Sequence, residues 1–96
     1  MIKVYGMKAC PYCEFIKPQL DERFVYFDVG KSTAALLTFV ELREKDPAFT
    51  ACKMLGDLGL PCFVREDGTI SLKPEDFGLV EYSGSASCSL ANRGHC

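Results

Sequence analysis

Hydrophobic residues along the first thirty positions form a short run, a helical spacing and a second short run. The run at 2–6 is rich in β-branched and aromatic residues and ends at Gly6. Apolar residues then recur at helical spacing over 11–22, with Pro11 where a helix can begin. The run at 24–29 is apolar on both faces, as in a strand covered on both sides. The pattern predicts a βαβ unit with two parallel strands.

The pattern after residue 30 predicts two helical stretches. From Ser32 the chain is expected to be helical to about Lys45, with Ser32 or Thr33 as the N-cap. Asp46 is expected to cap a second stretch that begins at Pro47, because proline suits the first turn of a helix. The helical region between the second strand and the next one is therefore predicted in two parts.

A hairpin follows the helical region. Short apolar runs at 62–66 and 69–72 flank Asp67-Gly68, a dipeptide typical of tight hairpin turns. The two runs are predicted to pair antiparallel at one edge of the sheet, and a short last helix is predicted to start at Pro74. The order β-α-β-α-α-β-β-α predicts an α/β fold with a four-stranded mixed sheet and helices on both faces.

Composition limits this fold to one small domain. The chain has 96 residues, 48% of them hydrophobic, and a formal net charge of -2, which leaves room for one core. We expect a domain over residues 1–82 and a polar, loosely ordered tail over residues 83–96. The chain has no basic stripe, no signal peptide and no apolar run near the roughly 20 residues of a membrane span. We therefore expect a cytoplasmic monomer that binds neither nucleic acid nor membranes.

Six cysteines add candidate chemistry. They lie unevenly, at positions 10, 13, 52, 62, 88 and 96, and fall below the roughly 8–10% typical of a disulfide-built scaffold. Without a secretion signal they are better interpreted as reactive thiols or small core residues. Cys52 is predicted to be buried, and Cys62 to pack in the core or to act as a third redox thiol. Cys88 and Cys96 belong to the tail.

The spacing of Cys10 and Cys13 suits a redox pair. At the start of the predicted helix, the Cys10 sulfur would face free backbone N–H groups, which favour the thiolate. Cys13 lies one turn later on the same face, within reach of Cys10. Cys10 could then attack a substrate disulfide, and Cys13 could resolve the mixed disulfide. Pro11 would stiffen the ring that closes, and Lys8 would add positive charge on the side of approach.

Two other interpretations of the pair remain open. A zinc site would need a second Cys-x-x-Cys or a matching His/Cys pair, and only Cys88, His95 and Cys96 are available, in the wrong pattern. A purely structural pair would need no chemistry. The redox interpretation is favoured because Cys-x-x-Cys near a βαβ pattern is typical of a thioredoxin-like redox motif. No metal is therefore expected.

The segments "CPYC" at 10–13 and "GLPCFV" at 59–64 resemble two motifs of the glutaredoxin family. The first resembles the dithiol active site, and the second resembles the loop and strand that carry a cis-proline. The resemblance covers roughly residues 1–78 in order and spacing, and it implies a thioredoxin-like fold. It also implies a dithiol oxidoreductase that reduces protein or glutathione mixed disulfides, with glutathione as co-substrate.

The resemblance assigns roles residue by residue. Cys10 would be the nucleophile and Cys13 the resolving thiol. Tyr12 would belong to the glutathione-contacting rim, and Leu60 would offer its backbone N–H and C=O to the cysteinyl part of glutathione, like an added strand. Pro61 would be the cis-proline beside the sulfurs. The other interpretation of Pro61 is a proline at the first position of a strand.

Two departures from the family pattern concern glutathione. Met7 stands where many glutaredoxins have a basic residue, with Lys8 one position later. The segment "TISLKPED" at 69–76 stands where the family usually has Gly-Gly followed by acidic residues. We therefore expect weak use of glutathione, and a thioredoxin reductase is an alternative electron donor. An iron–sulfur module held by Cys10 and glutathione is a further alternative, which Pro11 disfavours.

Overall fold

The computed structural model describes residues 1–82, which form an α/β domain. The strands are β1 (Ile2–Gly6), β2 (Phe24–Asp28), β3 (Cys62–Val64) and β4 (Ile70–Ser71). The α-helices are α1 (Pro11–Ile16), α2 (Thr33–Lys45) and α3 (Thr50–Leu55), and short 3₁₀ helices span Lys17–Gln19, Pro47–Phe49 and Pro74–Phe77. No helix within residues 1–82 is long and apolar enough to cross a membrane.

The four strands form one mixed sheet in the order β2-β1-β3-β4. Strand β1 pairs parallel with β2, with Val4 opposite Tyr26, and antiparallel with β3, where Val4 lies opposite Phe63. Strands β3 and β4 pair antiparallel at the edge. The predicted parallel βαβ unit, the edge hairpin and the four-stranded mixed sheet are therefore confirmed.

Neighbouring residues of β1 face two separate cores, because side chains alternate along a strand. Tyr5 belongs to a buried cluster with residues from the helical region after β2, namely Phe39, Phe49 and Cys52. Val4 belongs to a second cluster, which contains Ile16, Phe24, Phe63 and Phe77. Each face of the sheet is thus covered by helical segments, as predicted.

Helix α1 is shorter than the predicted span of 11–22. It ends at Ile16, and the chain continues as a 3₁₀ turn in which Leu20 N donates to Lys17 O at 3.2 Å. The cause is Pro18, which lacks a backbone N–H and whose ring would clash with the carbonyl of Glu14 in a continuing α-helix. The start of the helix is as predicted, with Cys10 at the N-cap and Cys13 in the first turn.

The helical region after β2 has both predicted N-caps, and its second stretch ends at a glycine. Ser32 Oγ accepts from Ala35 N at 3.1 Å, and Asp46 Oδ1 accepts from Ala48 N at 2.9 Å. The second stretch is divided into a 3₁₀ turn and α3, and it ends at Gly56, which has a φ of 77°. This left-handed residue ends the helix in the way that glycine commonly does.

The hairpin strands are shorter than predicted, and the turn is wider. Arg65 N donates to Thr69 O at 2.9 Å, and Gly68 N donates to Arg65 O at 2.9 Å, with Gly68 at a φ of 91°. Asp67 Oδ1 accepts from Thr69 N at 2.9 Å, so the Thr69 N–H is bonded to a side chain of the turn and not to the opposite strand. The last helix at Pro74 is a 3₁₀ helix. The predicted loose tail, with Cys88 and Cys96, lies outside the described residues.

Candidate active site

Cys10 lies at the N-cap of α1, where the chain leaves β1 and turns into the helix. Its backbone is extended, with φ of -90° and ψ of 115°, and Pro11 occupies the first helical position. Cys10 N donates to Met7 O at 3.1 Å, and Cys10 O accepts from Glu14 N at 3.1 Å. These bonds hold the first cysteine at the amino end of the helix, as the spacing predicts.

The surroundings of Cys10 lower its pKa to about 7. The largest cause is hydrogen bonding by the Cys13 side chain, which burial opposes. The backbone N–H groups of Cys13 and Tyr12 also favour the thiolate, although neither makes a cap hydrogen bond of normal geometry. The charge of Glu14 acts in the opposite direction. Cys10 is therefore substantially ionised at neutral pH, which makes it a candidate nucleophile.

Cys13 shows the reverse behaviour. Its pKa is raised, first because its thiol is engaged with Cys10 and then because it is buried. Both cysteines are free thiols, and neither side chain is exposed to solvent. The structure is thus the reduced form of the pair, and a bulky disulfide can reach Cys10 only after neighbouring side chains move.

The loop before β3 packs into the same buried cluster as the two cysteines. The Leu60–Pro61 peptide bond is cis, which confirms that prediction. Gly59 has a φ of 91°, and a Cβ added there would lie 2.8 Å from the Phe49 ring. Only glycine fits this backbone conformation at that distance. Leu60 is buried and shares the cluster with Cys10 and Cys13, so the loop forms part of the site.

A groove of about 240 Å³ adjoins this loop. Three of the predicted binding residues, Tyr12, Leu60 and Pro61, line it. Lys8, the fourth, is exposed and does not belong to the lining. The structure therefore brings the rim tyrosine and the proline loop together, while Lys8 stays outside the groove.

The end of the described chain also lines the groove, which the sequence reasoning missed. Val80 N donates to Gln19 Oε1 at 2.8 Å, and Gln19 Nε2 donates to Val80 O at 3.1 Å. These two bonds place the Tyr82 ring against Tyr12, with centroids 5.2 Å apart, and against Phe15 at 5.4 Å. The one sequence feature that could have indicated this contact is Tyr82 itself, an aromatic residue directly before a stretch of small residues.

Acidic residues give the groove a negative character. Asp57 and Glu81 lie in the lining, and no Lys or Arg does so within residues 1–82. The pKa of Tyr12 is raised, first by burial and then by the negative charges of Asp57, Cys10 and Glu81. The groove therefore disfavours anionic groups near Tyr12.

The other described cysteines are packing residues. Cys62 is fully buried, and burial raises its pKa to about 12, with Asp46 and Cys52 adding to the shift. Cys52 is buried and its thiol donates to Phe49 O at 3.2 Å. The prediction of buried, core-packed cysteines is confirmed for both. Within the described part of the chain, no three His, Cys, Asp or Glu side chains form a group that could hold a metal ion.

Comparison with known proteins identifies no relative. No family model matches the sequence, and neither a curated protein nor a solved structure does. The function is therefore inferred from the residues and their geometry.

Alkylation of Cys10 should follow the lowered pKa. We expect its rate with iodoacetamide to rise about tenfold per pH unit in acid, to bend near pH 7 and to level off above it, because only the thiolate reacts. Peptide mass mapping of the reduced protein separates Cys10 from the other thiols. Cys62 is the internal control and should stay unreactive through this range. A Cys10 midpoint near the ordinary value of about 8.5 would contradict the assignment.

Proposed function

We propose that this chain is a thiol-disulfide oxidoreductase with a thioredoxin-like fold, of the dithiol glutaredoxin type, which reduces protein or glutathione mixed disulfides. One observation carries the proposal. Cys10 lies at the amino end of α1 with a lowered pKa, and Cys13 is engaged with it one turn later. The loop before β3 supports the same assignment, because its Leu60 belongs to the same buried cluster as both cysteines.

The chemistry needs only the two sulfurs and a disulfide. The Cys10 thiolate attacks one sulfur of the substrate disulfide, a Cys10–substrate bond forms, and the other substrate sulfur leaves with the electron pair and takes up a proton. Cys13 then loses its proton and attacks Cys10. The second substrate sulfur leaves and takes up a proton, so the substrate gains two thiols and the protein holds a Cys10–Cys13 disulfide. Two thiols of a reductant restore the starting state.

The groove is the proposed place for the substrate chain. Tyr12 and Tyr82 form an aromatic wall, and Leu60 lines the same groove. An extended peptide could pair with the Leu60 backbone, as in the addition of a strand. Neither Cys10 nor Cys13 belongs to the groove lining, so a substrate sulfur bound here would reach Cys10 only after neighbouring side chains move.

The negative lining bears on the electron donor. Glutathione carries two carboxylates, and the carboxylate of Glu81 in the lining would repel them. Leu72 and Pro74 line the groove in the segment where the family usually has Gly-Gly, so the close backbone approach that glycine permits is lost. Each lost charge-assisted hydrogen bond is worth roughly 1.5–3 kcal/mol. We propose that glutathione is a weakly bound reductant, and a thioredoxin reductase is the alternative donor.

Coupled turnover assays test this proposal. Disulfide reduction is measured with NADPH, glutathione and glutathione reductase, and in parallel with NADPH and a thioredoxin reductase. We expect the glutathione rate to rise without saturation through the low millimolar range, with glutathionylated Cys10 visible by intact mass. Saturation at micromolar glutathione would contradict weak binding. Absence of glutathionylated Cys10 would favour the thioredoxin reductase route, and no turnover with either donor would refute the proposed function.

A charge variant sharpens the same assay. Glu81→Gln removes one negative charge from the lining and should raise the slope of rate against glutathione concentration about two- to fivefold, the size expected for one exposed charge. Glu75→Gln is the matched control, because Glu75 is exposed and lies outside the lining. Equal effects of the two variants would show that net charge, and not the groove, sets the affinity.

A further inference from the structure

Tyr26 on β2 carries a hydroxyl group that the proposed chemistry has not used. Its oxygen is buried and has no hydrogen-bond partner among the described residues. Burying an unpaired hydroxyl is unfavourable, and buried polar groups in native proteins nearly always have a partner. The sequence pattern indicates only a core aromatic residue at this position. We therefore expect the hydroxyl to form a hydrogen bond in another state of the protein.

The space at Gly6 shows which group lies beside this hydroxyl. A Cβ added to Gly6 would lie 2.6 Å from the Tyr26 hydroxyl oxygen and 3.1 Å from Cys13 Sγ. Both atoms therefore surround the same point at the end of β1. The absence of a side chain at Gly6 leaves the tyrosine hydroxyl and the resolving sulfur as neighbours.

The groups around Tyr26 keep its hydroxyl protonated. Its pKa is raised, first by burial and then by the charges of Cys13 and Asp28, with smaller contributions from Glu14 and Cys10. On the other side, Lys17 Nζ lies 5.0 Å from the ring centroid and leaves the hydroxyl unbonded. At neutral pH the hydroxyl is thus a protonated donor that lies beside the same space at Gly6 as the sulfur of Cys13, without a hydrogen bond to it in this state.

We propose that Tyr26 is a positioning residue for the resolving step, in which its hydroxyl donates a hydrogen bond to the thiolate of Cys13. This inference rests on the proposed function. In the resting state the Cys13 thiol is engaged with Cys10. Once Cys10 is bound to substrate, its sulfur is neutral, and Cys13 loses that acceptor. The tyrosine hydroxyl is then a nearby donor that can bind the Cys13 thiolate when it forms.

The step balances without a new reactant. Cys13 releases its proton to solvent, its thiolate attacks Cys10 Sγ, and the Cys10–Cys13 bond forms. The bond from Cys10 to the substrate sulfur breaks, and that sulfur leaves with the electron pair and takes a proton from solvent. Tyr26 keeps its own proton throughout and holds the attacking sulfur.

Tyr26→Phe tests the proposal, since it keeps the ring and removes the hydroxyl. The reduced variant is mixed with a glutathionylated peptide, quenched with acid and followed by intact mass. We expect capture of the substrate by Cys10 to stay within about twofold of the wild type. Release from the mixed disulfide should slow about tenfold or more, because a hydrogen bond to a charged group is lost.

A second readout separates positioning from mere packing. In a Cys10→Ser background, the pH midpoint for alkylation of Cys13 should rise by about one unit when Tyr26→Phe is added, since a lost donor destabilises the thiolate. Gly6→Ala should also slow release, because its Cβ would lie 2.6 Å from the hydroxyl oxygen and 3.1 Å from Cys13 Sγ, and so separates the two groups. Tyr5→Phe is the matched control for a buried tyrosine; its ring packs on Phe27 and Phe39, and both steps should be unchanged.

The outcomes distinguish this inference from the proposed function. Release at the wild-type rate in Tyr26→Phe, with an unchanged Cys13 midpoint, would overturn the role of Tyr26 while disulfide reduction itself stands. If the wild type reduces no disulfide, the proposed function fails, and the Cys13 midpoint still decides whether the hydroxyl stabilises the thiolate. If Tyr26→Phe does not fold, release by Gly6→Ala decides, and a wild-type rate there overturns the inference.

Discussion

We expect Cys10→Ser to abolish disulfide reduction, down to the rate without protein. Serine has nearly the same size, so the N-cap position and the packing of α1 are kept. Its hydroxyl stays protonated near pH 7, whereas the Cys10 thiol has a pKa of about 7 and is substantially ionised. Loss of the attacking group should therefore remove activity with every disulfide and every electron donor. The measurement is NADPH-coupled turnover, with thermal unfolding to confirm that the variant folds.

Cys52→Ser is the control for this experiment. Cys52 is a buried thiol that donates to Phe49 O, and a serine hydroxyl can replace that bond. Because Cys52 also lines the groove, the comparison uses the maximal rate, which should stay close to that of the wild type. Retained activity in Cys10→Ser would assign the chemistry to another thiol. Cys62 would then be the next to replace, because it shares the buried cluster with Cys10 and Cys13.

The lowered pKa of Cys10 also bears on its efficiency as a nucleophile. A very acidic thiol is fully ionised but less nucleophilic, so the best attacking thiol has a pKa near the ambient pH. Cys10 reaches about 7 through two opposing effects, hydrogen bonding by Cys13 and burial. Cys13 therefore has two roles. As a protonated thiol it favours the Cys10 thiolate that attacks the substrate, and it later attacks Cys10 itself in the resolving step.

The sheet could be predicted from local patterns, and the helix ends could not. The apolar runs that became β1 and β2 have no competing interpretation, and a short helical connection between them leaves parallel pairing as the simple solution. Helix α1 was placed correctly at its start, where Pro11 marks it. Its end was wrong because Pro18 breaks the α-helical bonding that the apolar spacing alone would continue.

Part of the candidate site could likewise be predicted from the sequence, and part could not. Cys10 and Cys13 are found from one short motif, since their proximity follows from helical geometry alone. The groove wall depends on chain segments far apart in sequence, such as the one that Gln19 and Val80 hold together. The Tyr26 hydroxyl and Cys13 Sγ likewise lie beside one space only because Gly6 has no side chain. Such relations come from tertiary packing, and no periodicity in the sequence encodes them.

We expect Cys13→Ser to stop reduction of protein disulfides after the first step. The serine hydroxyl can still donate to the Cys10 sulfur, so the first attack should proceed, but it cannot form a disulfide. The Cys10–substrate mixed disulfide should accumulate to one equivalent per protein and be visible by intact mass. When the substrate is a glutathione mixed disulfide, Cys10 captures the glutathione half and free glutathione releases it, so these substrates should still be reduced. Protein disulfides should stay trapped on Cys10 when no thiol is added.

Cys13→Ala separates the two roles of Cys13. It removes both the resolving sulfur and the donor to Cys10, so trapping should persist while the alkylation midpoint of Cys10 moves up from about 7. The rise has this sign because hydrogen bonding by Cys13 is the largest cause that lowers the pKa of Cys10. Repeated turnover of a protein disulfide by Cys13→Ser, without added thiol, would contradict the resolving role of Cys13. A Cys10–Cys62 disulfide in the recovered protein would then identify Cys62 as the third redox thiol that the sequence left open.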